Sequence, residues 1–282
     1  MRVVLLGTGG PRPDPDRMGP STLFCVGRDN LVFDAGRGTA VRVVQAGVPV
    51  TEVGYVFITH RHFDHIGGLA DLLFSAWNQG RNRIMKIFGP IGTERLVQKV
   101  FDVYSEDIWY RLKEAHFTVE KLLDIREMVA ALDVEPGLVH ETDHWRVFCE
   151  YVDHGHGLGM SIEEWPCMGY RLEAEGKKIV ISGDAVNSGN LLRLSQGADV
   201  LIMCCYLAGA EINHPDLKLF SEQVLASSRT AGKIAASAAV KKLVLHHIKE
   251  KPAELLEAMV EEIRRDFNGP VLVGRDLLEL SV

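Results

Sequence analysis

Long apolar runs are missing from this chain. The N-terminus, "MRVVLLGTGGPRP", carries only Val3 to Leu6 before glycine and proline intervene. It therefore reads neither as a signal peptide nor as a membrane span, which needs about 20 consecutive apolar residues. Cysteine is scarce too: five residues (Cys25, Cys149, Cys167, Cys204 and Cys205), odd in number and irregular in spacing. That pattern excludes a disulfide scaffold and fits reduced thiols, so the expected location is the cytoplasm. Cys204 and Cys205 are adjacent and would face opposite sides of a strand, which argues against a shared metal. Low-complexity tracts and solenoid-length repeats are also absent. Positive charge is in deficit, with 31 Lys and Arg against 38 Asp and Glu and a net charge of -7. Nucleic-acid binders usually carry a basic footprint. The longest basic cluster, "RNRIMK", reads as a solvated turn entering a strand. The expected substrate is thus not nucleic acid, although a local patch would be enough to bind one.

What is present is an ordinary globular composition, 46% hydrophobic and 24% charged, over 282 residues. Strand and helix patterns alternate throughout, and no linker divides them. "RVVLL", "STLFCV", "NLVFDAG", "GYVFIT" and "RIMKIFG" read as strands. "GTAVRVVQAGV", "DHIGGLADLLFSAWNQG" and "GTERLVQKVFDVY" have helical spacing. Later strands are "RVFCEYV", "GYRLEA", "KKIVIS", "ADVLIMCCYL", "KKLVL" and "PVLVG", with one long Ala-rich helix predicted over 219–240 and another over "PAELLEAMVEEIRRDF". The reading is a single α/β domain over 1–282, with a mainly helical segment at about 104–145 covering a pocket.

The chemistry lies at strand ends. His60, His62, Asp64 and His65 follow "GYVFIT"; His154 follows "VFCEYV"; Asp184 follows "KIVISG"; His247 follows "KLVL". Taken singly, Asp64 would serve as a helix N-cap and His154 or His247 as a satisfied core histidine. Their recurrence at four strand ends argues otherwise, because strand ends on one sheet edge bring distant residues together. In an extended segment His60 and His62 point the same way and can chelate one ion. Asp64 and His65 open a helix and can turn toward a second, and Asp184 can bridge. Imidazole and carboxylate donors without thiolate suit zinc, with manganese or iron as alternatives. Two spacings leave a choice: His156 competes with His154, and His246 with His247.

"THRHFDHIGG" resembles the HxHxDH signature of the metallo-β-lactamase superfamily. "VDHG" before "GYRLE", "SGDA" and "LVLHH" are similar to its later single-ligand motifs. The opening "LLGTGGPRPDPDRMGPSTLFCVGRDNLVFDAGRG" resembles the branch that holds RNase Z and arylsulfatase-like and phosphodiesterase-like hydrolases. The resemblance implies a four-layer αββα sandwich with two zinc ions at one edge. His60, His62 and His154 would hold one ion, Asp64, His65 and His247 the other, with Asp184 between them and Asp64 orienting the attacking water. It also implies a homodimer.

True RNase Z carries a long basic arm after the "GYR" strand, where this chain has only "EAEGKK". Its "HEAT" and "HST" segments read "MCCYLA" and "SRT" here, so the Glu and His that help the leaving group are missing. A poor leaving group gains about 10²–10⁴-fold from a general acid. The expectation is therefore a dinuclear zinc hydrolase acting on a small anionic phosphodiester, aryl sulfate or lactone. RNase Z-type trimming of tRNA 3′ ends is the alternative, and a non-catalytic binding protein is a third reading. Arg17 in the "PRPDPDRMG" loop, His156 and His214 are candidate substrate contacts. His116, His140 and His144 read as surface or pocket-rim residues.

Overall fold

The computed structural model describes residues 1–115, 117 and 122–282; His116 lies outside them. Six strands come first: β1 (Arg2–Gly7), β2 (Ser21–Val26), β3 (Asp29–Phe33), β4 (Val53–Phe57), β5 (Met85–Gly89) and β6 (Val129–Asp133). Seven follow: β7 (Gly137–Glu141), β8 (Trp145–Tyr151), β9 (Met168–Ala174), β10 (Lys177–Ile181), β11 (Val200–Cys204), β12 (Leu243–His246) and β13 (Val271–Val273). The last, β14 (Leu278–Leu280), returns to pair with β1. The order is β14-β1-β2-β3-β4-β5-β6 in one sheet and β13-β12-β11-β10-β9-β8-β7 in the other. Each sheet is antiparallel on one side and parallel on the other.

The layers follow from two-faced burial. In β1, Val3 and Leu5 face the other sheet while Val4 and Leu6 face helices, so the strand is apolar throughout rather than alternating. The layer between the sheets is aromatic: Phe24, Phe33, Phe57, Phe88, Trp145 and Tyr170. Phe33 stacks on Phe57 at 4.7 Å, and the Tyr170 hydroxyl donates to the Ile58 carbonyl at 2.8 Å, which satisfies the only polar atom of that buried ring. Helices α1 (Thr39–Gln45), α2 (Phe63–Ile66), α3 (Leu69–Asn78), α4 (Thr93–Val103) and α5 (Ser105–Ala115) belong to the first half. Helices α6 (Gly189–Ser195), α7 (Pro215–Gln223), α8 (Ser228–Ser237) and α9 (Ala253–Ile263) belong to the second. The expected αββα sandwich is what forms. Among the described residues, no helix is long and apolar enough to cross a membrane.

Three local expectations are corrected. The segment 104–145 is not mainly helical: after α5 it supplies β6 and β7, the edge strands of the two sheets. Its His140 ring lies 5.3 Å from Phe88, so aromatic contact with the layer between the sheets outweighed the polar pattern. The long Ala-rich helix breaks at 224–227, where Ser227 caps α8 by accepting from Thr230 N–H. "DHIGGLADLLF" is likewise two helices, parted at Gly67–Gly68. A Cβ at Gly68 would lie 2.1 Å from the Gly36 carbonyl oxygen, so the backbones meet there only because residue 68 is glycine.

Candidate metal centre

Strands β8, β10 and β12 run in a common direction within one sheet, and the residues that follow them meet those that follow β4 of the other sheet. Beyond β4 the chain bends at Thr59 before His60. Thr59 N–H donates to Asp34 Oδ1 at 2.8 Å, and the Thr59 hydroxyl lies 3.0 Å from His60 Nδ1. That hydroxyl also contacts both Asp34 oxygens, so it accepts from His60 and leaves His60 Nε2 with a free lone pair. Helix α2 then buries Asp64 and His65 in its first turn. Asp64 is no N-cap: that position is His62, and Asp64 Oδ2 instead lies 3.2 Å from His247 Nε2.

The other residues arrive from far along the chain. His154 Nδ1 donates to the Val224 carbonyl at 2.7 Å, so the break between α7 and α8 orients this ring. Asp184 sits in the middle. Its Oδ2 is 3.8 Å from both His60 Nε2 and His154 Nε2 and 3.4 Å from His247 Nε2, and its Oδ1 is 3.4 Å from His65 Nε2. His247 adopts φ +53°, an uncommon conformation for a side chain of its size, and Gly10 leaves room for its ring. Two groups result, each able to hold a metal ion: His60, His62, His154 and Asp184, and Asp64, His65 and His247.

The donor atoms fit cations. His62 Nδ1 lies 2.9 Å from His60 Nε2 and 3.2 Å from His154 Nε2. His60 and His154 spend their N–H groups on the Thr59 hydroxyl and the Val224 carbonyl, so three nitrogens converge with at most one proton among them, on His62 Nδ1, an arrangement that suits a cation. Burial pushes His60 and His154 below the usual imidazole value and His62 to about 4, which keeps these rings neutral. Burial also acts on His65, but Asp184 and Asp34 outweigh it and hold that ring well above its usual value. Asp184 stays well below the usual carboxylate range, because His247, His65 and His60 outweigh its burial. Buried His65 Nε2, Asp184 Oδ1 and His247 Nδ1 have no hydrogen-bond partner. Such orphans are rare in proteins; His65 Nε2 and Asp184 Oδ1, with the His247 Nε2 that faces Asp64 and Asp184, make a divalent-cation donor set.

The alternatives divide clearly. His156 Nδ1 accepts the His154 backbone N–H at 3.1 Å and its Nε2 meets the Trp165 carbonyl at 2.9 Å, so both nitrogens are in use and His154 faces the centre. His246 is buried with its pKa lowered to about 3 by burial and lies in neither metal-binding group. Arg17 spends its guanidinium on the Thr8 hydroxyl (2.7 Å) and the Gly274 carbonyl (2.6 Å), which braces the N-terminal loop. His214 is exposed and caps α7 through Asp216 N–H at 3.3 Å. His144 is exposed. Two residues near the centre were missed from the sequence. Asp34 is one, although it too follows an apolar strand end. Tyr206 is the other: its ring lies 5.9 Å from His247 and lines a pocket with Gly10, Arg12, Pro13, Asp14 and Lys249.

Residues 14–229 match the metallo-β-lactamase superfamily. The chain belongs to that superfamily. With its metal-binding groups, it is a metal-dependent hydrolase of the metallo-β-lactamase fold. A relative named Ribonuclease Z, from Mycobacterium bovis (strain BCG / Pasteur 1173P2), is 31% identical over 291 aligned residues, which cover 100% of this chain and 98% of that protein. Among solved structures, a metallo-β-lactamase fold protein from Bacillus subtilis superposes with a TM-score of 0.75 at 18% identity, covering 99% of this chain and 98% of that one. Human tRNase Z, short form, superposes with a TM-score of 0.70 at 21% identity, covering 100% of this chain and 99% of that one.

Proposed function

We propose that this superfamily member is a two-metal phosphodiester hydrolase that acts on RNA in the cytoplasm. The observation that carries the hydrolytic part is the buried donor set around Asp184, where His65 Nε2 and Asp184 Oδ1 have no hydrogen-bond partner and His247 turns its Nε2 to Asp64 and Asp184. His60, His62 and His154 would hold one ion, Asp64, His65 and His247 the other, with Asp184 between them. The nitrogen and oxygen donors favour zinc. Ions held by these residues would supply an acidified water and charge neutralisation for an attacked phosphate. The chain's own residues do the rest. Asp64 is kept ionised by His247 and His65 despite its burial, so its carboxylate can accept a hydrogen bond from the attacking water and orient it. Burial raises the Tyr206 phenol, so it stays protonated and can donate toward a leaving oxygen.

RNA is favoured by the full-length likeness to the protein named Ribonuclease Z. The missing arm weighs less than the sequence alone suggests. β9 and β10 are joined by just Glu175 and Gly176, but the alignment covers 98% of that relative in 291 positions, so it too lacks a long inserted arm. A second reading, hydrolysis of a small ester, is favoured by the buried Met203 and Cys204 and by Ser228, which is tied to Glu262. The test sets bis-p-nitrophenyl phosphate, p-nitrophenyl sulfate and a 3′-extended precursor tRNA side by side with metal-quantified protein. Cleavage of the tRNA supports the RNA reading. Turnover of an aryl ester with intact tRNA supports the small-ester reading. Two metals with no turnover of any of the three would count against both.

A further inference from the structure

Arg61 stands between His60 and His62 in the chain and shares the Trp165 ring with His62. Its guanidinium lies 5.8 Å from the Trp165 ring, and that ring in turn lies 4.8 Å from His62. Arg61 also donates to the Ile91 carbonyl, which brings it against the start of α4. There it lines an open cavity of about 200 Å³ with Gly92, Arg95, Leu96 and Lys99. Arg95 and Lys99 are exposed and four residues apart, hence on one face of the helix. Three cations and no acidic residue line this cavity, in a chain whose net charge is -7.

The neighbouring carboxylates are engaged elsewhere. Asp133 accepts from Gly92 N–H at 2.8 Å and Glu94 N–H at 2.9 Å, so the helix N-terminus is already capped. Glu94 turns to the Asp133 backbone N–H at 3.3 Å, and Asp102 accepts from Gln98 at 2.9 Å. Among the described residues, Arg61, Arg95 and Lys99 form no ion pair. Three unpaired cations held around one cavity are an arrangement that phosphate stabilises.

We infer that Arg61, Arg95 and Lys99 form a phosphate-binding track for RNA flanking the scissile bond, leaving the metal centre on the His62 side. The inference rests on the RNA reading above. A small ester bound at the metals would gain little from Arg95 and Lys99, whereas a polymer running past Trp165 would lay its backbone over them.

The test is the double variant R95E/K99E. Both side chains are exposed and neither belongs to the metal centre. Binding of the metal-loaded protein to a fluorescein-labelled, phosphorothioate-substituted tRNA with a 3′ extension is read by anisotropy over a range of salt. The expected result is affinity weakened by at least about tenfold. The slope of log Kd against log salt should fall by about one unit for each phosphate no longer neutralised, so by about two. Hydrolysis of bis-p-nitrophenyl phosphate and the melting temperature should stay at wild-type values. Unchanged affinity and slope overturn the track, as does wild-type protein that does not bind the RNA. Cleavage of unmodified precursor tRNA is scored separately. Wild-type protein that cuts it while R95E/K99E binds normally sinks the track and leaves the RNA reading standing.

Discussion

Asp34 Oδ2 lies 2.8 Å from His65 Nδ1, while Asp34 Oδ1 accepts the Thr59 N–H at the same distance. One buried carboxylate thereby fixes His65 directly and His60 through the Thr59 hydroxyl, and so aims one ring from each metal-binding group. Partners of this kind commonly contribute about 10–100-fold in metal affinity. Asp34→Ala is expected to weaken metal retention by that order while the fold survives. Competition with a chelator, with circular dichroism as the control for folding, measures it. Wild-type retention by the variant would remove Asp34 from the metal site's support.

The choices left open by spacing give paired variants. His154→Ala and His247→Ala should each lose metal, because their rings face Asp184 across 3.8 and 3.4 Å. His246→Gln should keep its metal content, because that residue lies outside both groups. His156→Ala should also keep metal, but it removes the acceptor for the His154 N–H and should loosen the loop. Elemental analysis after gel filtration decides; metal loss in His246→Gln with retention in His247→Ala would reverse the assignment.

Gly68→Ala tests the backbone contact beneath the centre. The added Cβ would meet the Gly36 oxygen at 2.1 Å, so α2 and the loop after β3 must move apart. Overpacking of this kind costs about 1–3 kcal/mol. Because α2 carries Asp64 and His65, metal should be lost along with stability. A variant that melts and loads like wild type would show that the backbone yields there without cost.

Removing metal should destabilise the whole chain. Asp184 and Asp64 are buried among imidazoles, and cations bound to the folded state alone add roughly 3–4 kcal/mol at concentrations a few hundred times Kd or more. For a chain of this size that corresponds to a fall of about 5–10 °C in Tm on chelation. Differential scanning calorimetry with and without a chelator reads it directly, and coincident melts would contradict a structural contribution from the metal.

The parts legible in the sequence were those that repeat locally. Strands buried on both faces leave unbroken apolar runs, and donor residues at their ends stand out against them. That is why an α/β domain and seven candidate donors can be read from the pattern, while the four-layer sandwich comes from the resemblance carried by "THRHFDHIGG". What escaped depends on contacts between segments far apart in sequence. Val224 matters because its carbonyl accepts from His154, 70 positions away, and nothing in an Ala-rich helical pattern announces a break there. β6 and β7 read as polar helix because edge strands have less apolar surface to bury. Asp34 did follow the strand-end rule, but its partner His65 is 31 positions away, and the aspartate reads as part of the strand "NLVFDAG".

Tyr206 offers a sharper view of the chemistry. Its ring adjoins His247 and burial keeps the phenol protonated, yet Met203 and Cys204 just before it are buried and supply no proton. If the phenol protonates the leaving oxygen, its value depends on how poor that leaving group is. Tyr206→Phe should lower kcat on precursor tRNA, whose leaving group is an alkoxide, by about 10²-fold, near the lower end of general-acid effects. The same variant should hydrolyse bis-p-nitrophenyl phosphate at close to the wild-type rate, because nitrophenolate departs without a proton. An equal loss on both substrates would instead mark Tyr206 as a packing partner of His247, and no loss on either would remove it from the reaction.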